Sequence, residues 1–434
     1  MSKLIAILAG ALSCAAGLVP MAMAQPTTLP PGANTTDPNA PFFVDLSGLD
    51  MRTRPPTRDP LNPRYPLATA IADGQLPPKG AEGNFIIGPS HPAAPETQVQ
   101  AGVPKGRVIT FTMTSTDSII YHPGIVREDR TADGAAARPS TAPGDPSNVI
   151  ITTGRPGVWS RTVWVYVPQQ YKRGSAAPFM VASAGDATFF TVLDNLIAQR
   201  RIPTIIAVAI GPGGQDGQGS ERGVEFDTVS GTFAQWIESE VLPLVEKNAG
   251  VSLTHDPEGR AAMGGSSSGV AAFTMAWFRP DLYRRVLAYS PTFVNQQWPH
   301  NPALPGGAWE YHSPWPGPAR PGPNLMTTGY NPPVATDTPP GLPLIPNTPA
   351  RPIRMWFEVG DRDIFYGGLT PDGMHDWVLA SENMARALAA KGYHYQFVFA
   401  RNAGHVDGPT RAQTLPSALE WVWQGYSPAR KSPR

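Results

Sequence analysis

Hydrophobic and polar positions fall into distinct regimes along this chain. Residues 25–104 are rich in Pro, Thr, Asn and Gly, and only FFVDLSGL (42–49) there is apolar enough to pack. That composition predicts an extended leader, packed on the body or flexible beside it. Beyond it, RVITFTMT (107–114) and SRTVWVYV (160–167) are β-branched and aromatic with near alternation, which suits antiparallel strands at a sheet edge. PFMVASAG (178–185), PTIIAVAI (203–210), AAMGGS (261–266), RVLAYS (285–290), IRMWFEVG (353–360) and YQFVFA (395–400) are short and almost continuously apolar. Such runs predict central strands buried on both faces.

Apolar residues spaced three and four apart mark helices at 188–200, 231–248, 269–279, 376–392 and 415–426. Strand and helix in alternation imply right-handed crossovers and a mostly parallel central sheet with helices on both faces, an α/β body spanning 105–426. A basic tail, 427–434, follows. Residues 296–352 interrupt the alternation and carry about a third of the 51 prolines. A loop of that length in a compact domain is expected to be a lid, a binding loop or disordered, so substrate choice is expected to reside there. Its Trp298 and Trp309 are candidate flat faces for an aromatic acyl group or a sugar ring.

Charge narrows the partners. Lys and Arg total 34, Asp and Glu total 34, and no basic cluster is interleaved with aromatics, so nothing marks a nucleic-acid or anionic-membrane binder. A small-molecule or carbohydrate partner fits better. The N-terminus reads as a secretory signal: Lys3 supplies the n-region, Leu4 to Val19 the apolar stretch, and Ala22-Met23-Ala24 the small residues before a cut at Gln25. The single cysteine, Cys14, lies inside that signal. A chain processed after Ala24 has no disulfide, cysteine nucleophile or thiolate metal site, which suits a periplasmic or extracellular compartment.

The chemistry concentrates at AAMGGSSSGV (261–270), where an apolar strand meets a helical pattern. A G-x-S-x-G segment at such a junction holds its serine on a sharp turn that flanking glycines permit. Gly265-Ser266-Ser267-Ser268-Gly269 fits that pattern, which makes Ser267 the candidate nucleophile and the amide of Ser268, at a helix N-terminus, a candidate oxyanion donor. A serine of this kind needs a base and an orienting acid, which follow it in the order acid, histidine in α/β-hydrolases. FEVGDRD offers Asp361 and Asp363 after one strand, and ARNAGHVDG offers His405 after the next. No H-E-x-x-H zinc pattern occurs, and neither a metal nor an organic cofactor is expected.

These segments, together with FMVASAGDATFF, RGVEFDTVSGTFAQWIESEVLPLVEK and the RPDLYRRVLAYSP after the elbow, resemble one group of α/β-hydrolase esterases. The group takes in enterochelin esterases, esterase D type enzymes, feruloyl and acetylxylan esterases, and mycolyltransferases of antigen 85 type. The resemblance covers roughly 105–426 and implies an α/β-hydrolase fold and a serine esterase mechanism. It places the nucleophile on Ser267 and the base on His405, and its G-x-x-D pattern selects Asp363 over Asp361. It further implies a second oxyanion donor at the amide of Asp186, and its R-x-x-E-L/Y segment makes Arg222 and Glu225 candidates for the wall of the site. Val270 departs from the group, standing where many members carry a second glycine.

The implied reaction is two-step acyl transfer. His405, oriented by Asp363, takes the proton of Ser267 as it attacks an ester carbonyl, and water then releases the acid. A siderophore ester or a feruloyl or acetyl sugar ester is the expected substrate. An acyltransferase using the same acyl-enzyme, and a non-catalytic binding protein on the same fold, are the competing readings.

Overall fold

The apolar runs become the interior of one ten-stranded sheet. The structure is a computed structural model that describes residues 42–45, 66–131, 149–183, 185–214, 220–295, 306–316, 340–364 and 374–427. The expected signal (1–24), most of the leader before residue 66, Trp298 and residues 428–434 lie outside the described residues.

In chain order the strands of the two larger sheets are β1 (Phe42–Asp45), β2 (Thr69–Ala70), β3 (Gly83–Ile87), β4 (Arg107–Thr114), β5 (Ile125–Thr131), β6 (Val149–Pro156) and β7 (Ser160–Val167). There follow β8 (Phe179–Ala182), β9 (Ile206–Ile210), β10 (Arg260–Gly265), β11 (Arg285–Tyr289), β12 (Arg354–Gly360) and β13 (His394–Ala400). Across the main sheet they lie in the order β2-β3-β13-β12-β11-β10-β8-β9-β7-β4. Pairing is parallel from β2 through β9. Strand β7 runs antiparallel to both β9 and β4, so the two alternating segments do close one edge. Strands β1, β6 and β5 make a separate antiparallel sheet.

Helices cover both faces, as the strands' two-sided burial requires. On one face α1 (Ala187–Ala198) and α7 (Gly408–Trp423) bring Leu193, Leu415 and Leu419 into the cluster that holds Leu287, Tyr289 and Trp356. The opposite face carries α3 (Thr232–Trp236), α4 (Leu242–Ala249), α5 (Ser267–Phe278) and α6 (Trp377–Ala390), whose Val245, Phe273 and Leu388 join Val286 and Phe357. A six-residue helix, α2 (Glu221–Phe226), precedes α3. The observed layers are those of the expected α/β-hydrolase fold.

Two boundaries differ from the sequence reading. Residues 66–104 are not a leader outside the body: β2 and β3 extend the main sheet, with Phe85, Ile86 and Ile87 buried against β13. The run GNFII is too short, and too hemmed by Gly and Pro, to stand out among its neighbours. Helix α7 starts at Gly408 rather than near 415, because Asp407 caps it through Thr410 N at 2.8 Å and Pro409 stands in its first turn, where a missing N–H costs nothing.

Candidate active site

The carboxyl ends of β8, β10, β12 and β13 lie along one edge of the sheet, and each is followed by a loop bearing a residue singled out above. After β10 the chain turns at once into α5. The sharp residue is Ser266, with φ 57° and ψ −129°, a conformation that costs a non-glycine residue about 1–3 kcal/mol. This corrects the register of the elbow. Ser267, expected at the turn, is instead the first residue of α5 and only 4 % exposed.

Sterics explain the shift. A Cβ at position 264 would stand 2.2 Å from the Ser268 carbonyl oxygen, so the close approach of strand and helix demands Gly264. The strained turn is therefore centred in Gly264-Gly265-Ser266-Ser267-Ser268. The Ser268 hydroxyl donates to Gly265 O at 2.7 Å and accepts from Gly265 N at 3.0 Å, tying the turn shut with a side chain. Ser266 itself is held by its amide on Tyr289 O at 2.9 Å and by Thr292 N on its carbonyl at 3.2 Å, and its Oγ lies 3.5 Å from Thr292 Oγ1. One sequence signal pointed to this register: with Ser266 at the turn, Gly269 takes the place of the group's second glycine and the departure at Val270 disappears.

Asp363 and His405 meet. His405 Nδ1 is 2.6 Å from Asp363 Oδ1, which also accepts from Ile364 N at 2.6 Å. Asp363 is buried, while the imidazole of His405 is 24 % exposed, so its second nitrogen can serve a further partner. Trp377 presents its ring edge-on to the imidazole at 5.9 Å between centroids. Asp361 braces the histidine loop from below. Its Oδ1 accepts from Ala403 N at 3.3 Å, and its amide bonds Ala400 O at 2.8 Å.

The oxyanion candidates separate. Ser268 N–H lies in the first turn of α5, one residue beyond Ser267 N–H, and it is Ser267 that immediately follows the strained serine. Asp186 caps α1 through Phe189 N at 2.7 Å, and its other carboxylate oxygen holds Arg411 Nη2 at 2.7 Å, linking the start of α1 to the first turn of α7.

Of the wall candidates, Glu225 and Trp309 are buried and Arg222 is partly buried. Glu225 is paired with Arg161 and accepts from Gly213 N at 3.2 Å, and the Arg161 guanidinium lies 3.9 Å and 4.6 Å from the ring centroids of Trp159 and Trp236. Glu225 therefore supports the segment after β9. Arg222, beside it on α2, has its guanidinium 6.0 Å from the Phe226 ring, and burial lowers its proton affinity. Trp309 is also buried, its Nε1 donating to Pro314 O at 3.1 Å, and Trp298 lies outside the described residues. Residues 306–312 of the insertion are core: Tyr311 OH is 2.8 Å from Thr274 Oγ1 and His312 Nε2 is 2.9 Å from Phe293 O.

Among solved structures, the enterobactin esterase of Shigella flexneri is 19 % identical over 61 % of this chain and 56 % of its own, with a TM-score of 0.38. The ferric enterobactin esterase of Salmonella typhimurium is 19 % identical over 61 % of this chain and 55 % of its own, at 0.39. This chain thus matches little more than half the length of those two enzymes. The ferulic acid esterase of Anaeromyces mucronatus is 13 % identical over 76 % of this chain and 96 % of its own, at 0.43. No curated protein matches. The family model described as "Putative esterase" matches residues 158–406, a span that runs from β7 through the elbow, Asp363 and His405, and the chain belongs to that family.

Proposed function

We propose that this protein is a carboxylic-ester hydrolase in which Ser266 is the nucleophile, His405 the general base and Asp363 the group that orients it. The observation that carries the reading is the strained backbone of Ser266 on the same sheet edge as the 2.6 Å contact between His405 and Asp363. With Nδ1 engaged by the carboxylate, Nε2 is the nitrogen left to take the serine proton. Attack on an ester carbonyl gives an oxyanion, which the N–H of Ser267 receives at the head of α5, assisted by the amide of Asp186. Collapse expels the alcohol as His405 returns the proton. Water, activated by the same histidine, then releases the acid. Ester substrates of the siderophore and feruloyl or acetyl sugar classes follow from the sequence resemblance. The N-terminal signal pattern supports export, with Gln25 as the mature N-terminus, which mass spectrometry of the processed chain would read.

The direct test is labelling by an aryl organophosphonate together with turnover of an aryl ester. Ser266→Ala should lose both, with kcat down by about a millionfold, whereas Ser267→Ala should keep labelling because only its backbone N–H is used. Labelling that survived in Ser266→Ala and vanished in Ser267→Ala would return the nucleophile to the neighbouring position. A product ester formed with an added alcohol or sugar would identify a transferase.

A further inference from the structure

Directly beneath the histidine loop lies a carboxyl group that the mechanism does not use. Glu358 sits on β12, in register with Tyr289 of β11 and Val398 of β13, and its carbonyl accepts from Ser290 N at 2.8 Å. It shares a strand face with Gly360, two residues on, where an added Cβ would stand 2.3 Å from Ala403 O and 2.7 Å from Gly404 O. The backbone leading to His405 therefore passes over the row that contains Glu358. The side chain is 0 % exposed, and neither oxygen has a hydrogen-bond partner among the described residues. Buried polar groups are nearly always hydrogen-bonded, so this one calls for a reason.

Among the described residues no hydrogen bond joins it to a cation: His91 is engaged by Gln413 Oε1 of α7 and by Arg401 O, and Arg401, just after β13, has its Nε buried without a partner of its own. From β11 the facing titratable group is Tyr289, whose hydroxyl is 2.9 Å from Thr414 Oγ1 of α7. The loop after β12 contributes Asp363, whose Oδ2 is also buried without a partner among these residues. The histidine loop contributes His405, engaged by Asp363, and Asp407, engaged as the cap of α7. The Arg411 guanidinium, also on α7, is committed to Asp186. An ionised carboxylate without a counter-charge or donor costs far more in such a place than a neutral acid. Burial, and then the charges of Asp363 and Asp407, accordingly push Glu358 well above the usual carboxylate range.

We propose that Glu358 is a positioning residue that keeps its proton through the working pH range, leaving Asp363 as the single carboxylate that acts on His405. A second negative charge under the loop would need water to solvate it. Ionisation of Glu358 therefore requires the 403–407 segment to lift from β12, which withdraws His405 from Ser266. Glu358 is in this sense an alkaline limit on the machinery proposed above, and the inference rests on that reading for its kinetic part alone.

The experiment compares wild type with Glu358→Gln, which keeps the shape and can never ionise. Difference infrared spectra of protein labelled with 13C-carboxyl glutamate should show, at neutral pH, a protonated-carboxyl band that the variant lacks. This band needs no turnover, so it reports on Glu358 even if Ser266 is not the nucleophile; because Glu221 also holds its proton near neutrality, the difference between wild type and variant assigns the band, and Glu358→Asp serves as the comparison if the glutamine variant fails to fold. The alkaline midpoint of kcat should move upward in the variant by about one pH unit or more, while the acid midpoint of kcat/KM stays in place. Absence of the band, identical alkaline midpoints, or an acid midpoint that falls in the variant would each overturn the proposal, the last because it would show a charge already acting on His405.

Discussion

Val406 packs directly on Gly265: a Cβ added to that glycine would stand 3.0 Å from Val406 Cγ1 and 3.2 Å from Cγ2. The residue after the loop histidine thus rests on the residue before the elbow serine. Val406 adopts φ 48°, rare for a β-branched side chain, and its amide donates to Ser290 Oγ at 2.9 Å. With Ser266, Ser290 and Asn402, it is one of four non-glycine residues at positive φ on this edge of the sheet among the described residues. Strain of this kind persists only where surrounding packing over-determines it.

Gly265→Ala should therefore push the histidine loop outward without unfolding the sheet. We expect kcat on a small aryl ester to fall by about 10- to 100-fold, since displacements near 1 Å cost that much, with Tm lowered only slightly. Unchanged kcat would show that the contact has no part in aligning His405 with Ser266.

Asp363 and Asp361 should behave differently. Asp363→Asn removes the acceptor for His405 Nδ1 and should cost about four orders of magnitude in kcat. Asp361→Asn alters a brace to Ala403 N and should cost about tenfold or less. Steady-state kinetics on one ester decides, and the opposite ranking would move the acid to Asp361.

Glu221 provides a pH test of stability. It is buried, its Oε2 accepts from Ile125 N at 2.7 Å, and burial followed by the nearby charge of Glu225 pushes its carboxyl up to about 8. For an acid whose folded value lies above its unfolded one, the stabilising contribution is fully present below the unfolded value, 4.5, and is lost as pH rises through the folded one. Glu221→Gln, which cannot ionise, should gain on wild type as pH rises from about 5 to about 8, by at least about 1 kcal/mol in denaturant unfolding. A gap that stays constant across that range would show that Glu221 is ionised in the folded protein.

The insertion can be shortened cleanly. Trp315–Pro316 pairs antiparallel with Pro340–Gly341, so the ends of 317–339 are neighbours and a short Gly/Ser link can replace that segment. If the segment covers bound substrate, kcat/KM for a bulky preferred ester should fall at least about tenfold, or about 1.4 kcal/mol, while a small activated ester is spared. Equal kinetics on every ester would remove the insertion from recognition.

Sequence by itself determined the alternation of apolar strands and amphipathic helices, hence the parallel sheet, because burial on two faces writes a local and continuous signal. It also placed Asp363 and His405 at the ends of consecutive strands, since the order of elements along the chain dictates which loops share an edge. Tertiary structure decided the rest. Three adjacent serines differ in conformation through a tertiary contact: Gly264 passes within reach of Ser268 across the strand-to-helix turn, and the strained conformation falls on Ser266. Strand β3 became visible only when β13 supplied its partner, and Trp309 and Glu225 proved buried because the residues that cover them are distant in the chain. Glu358 reads in sequence as one polar residue in an apolar strand. Its meaning came from the histidine loop folded over it, a neighbour 45 residues away in the chain that no local pattern can announce.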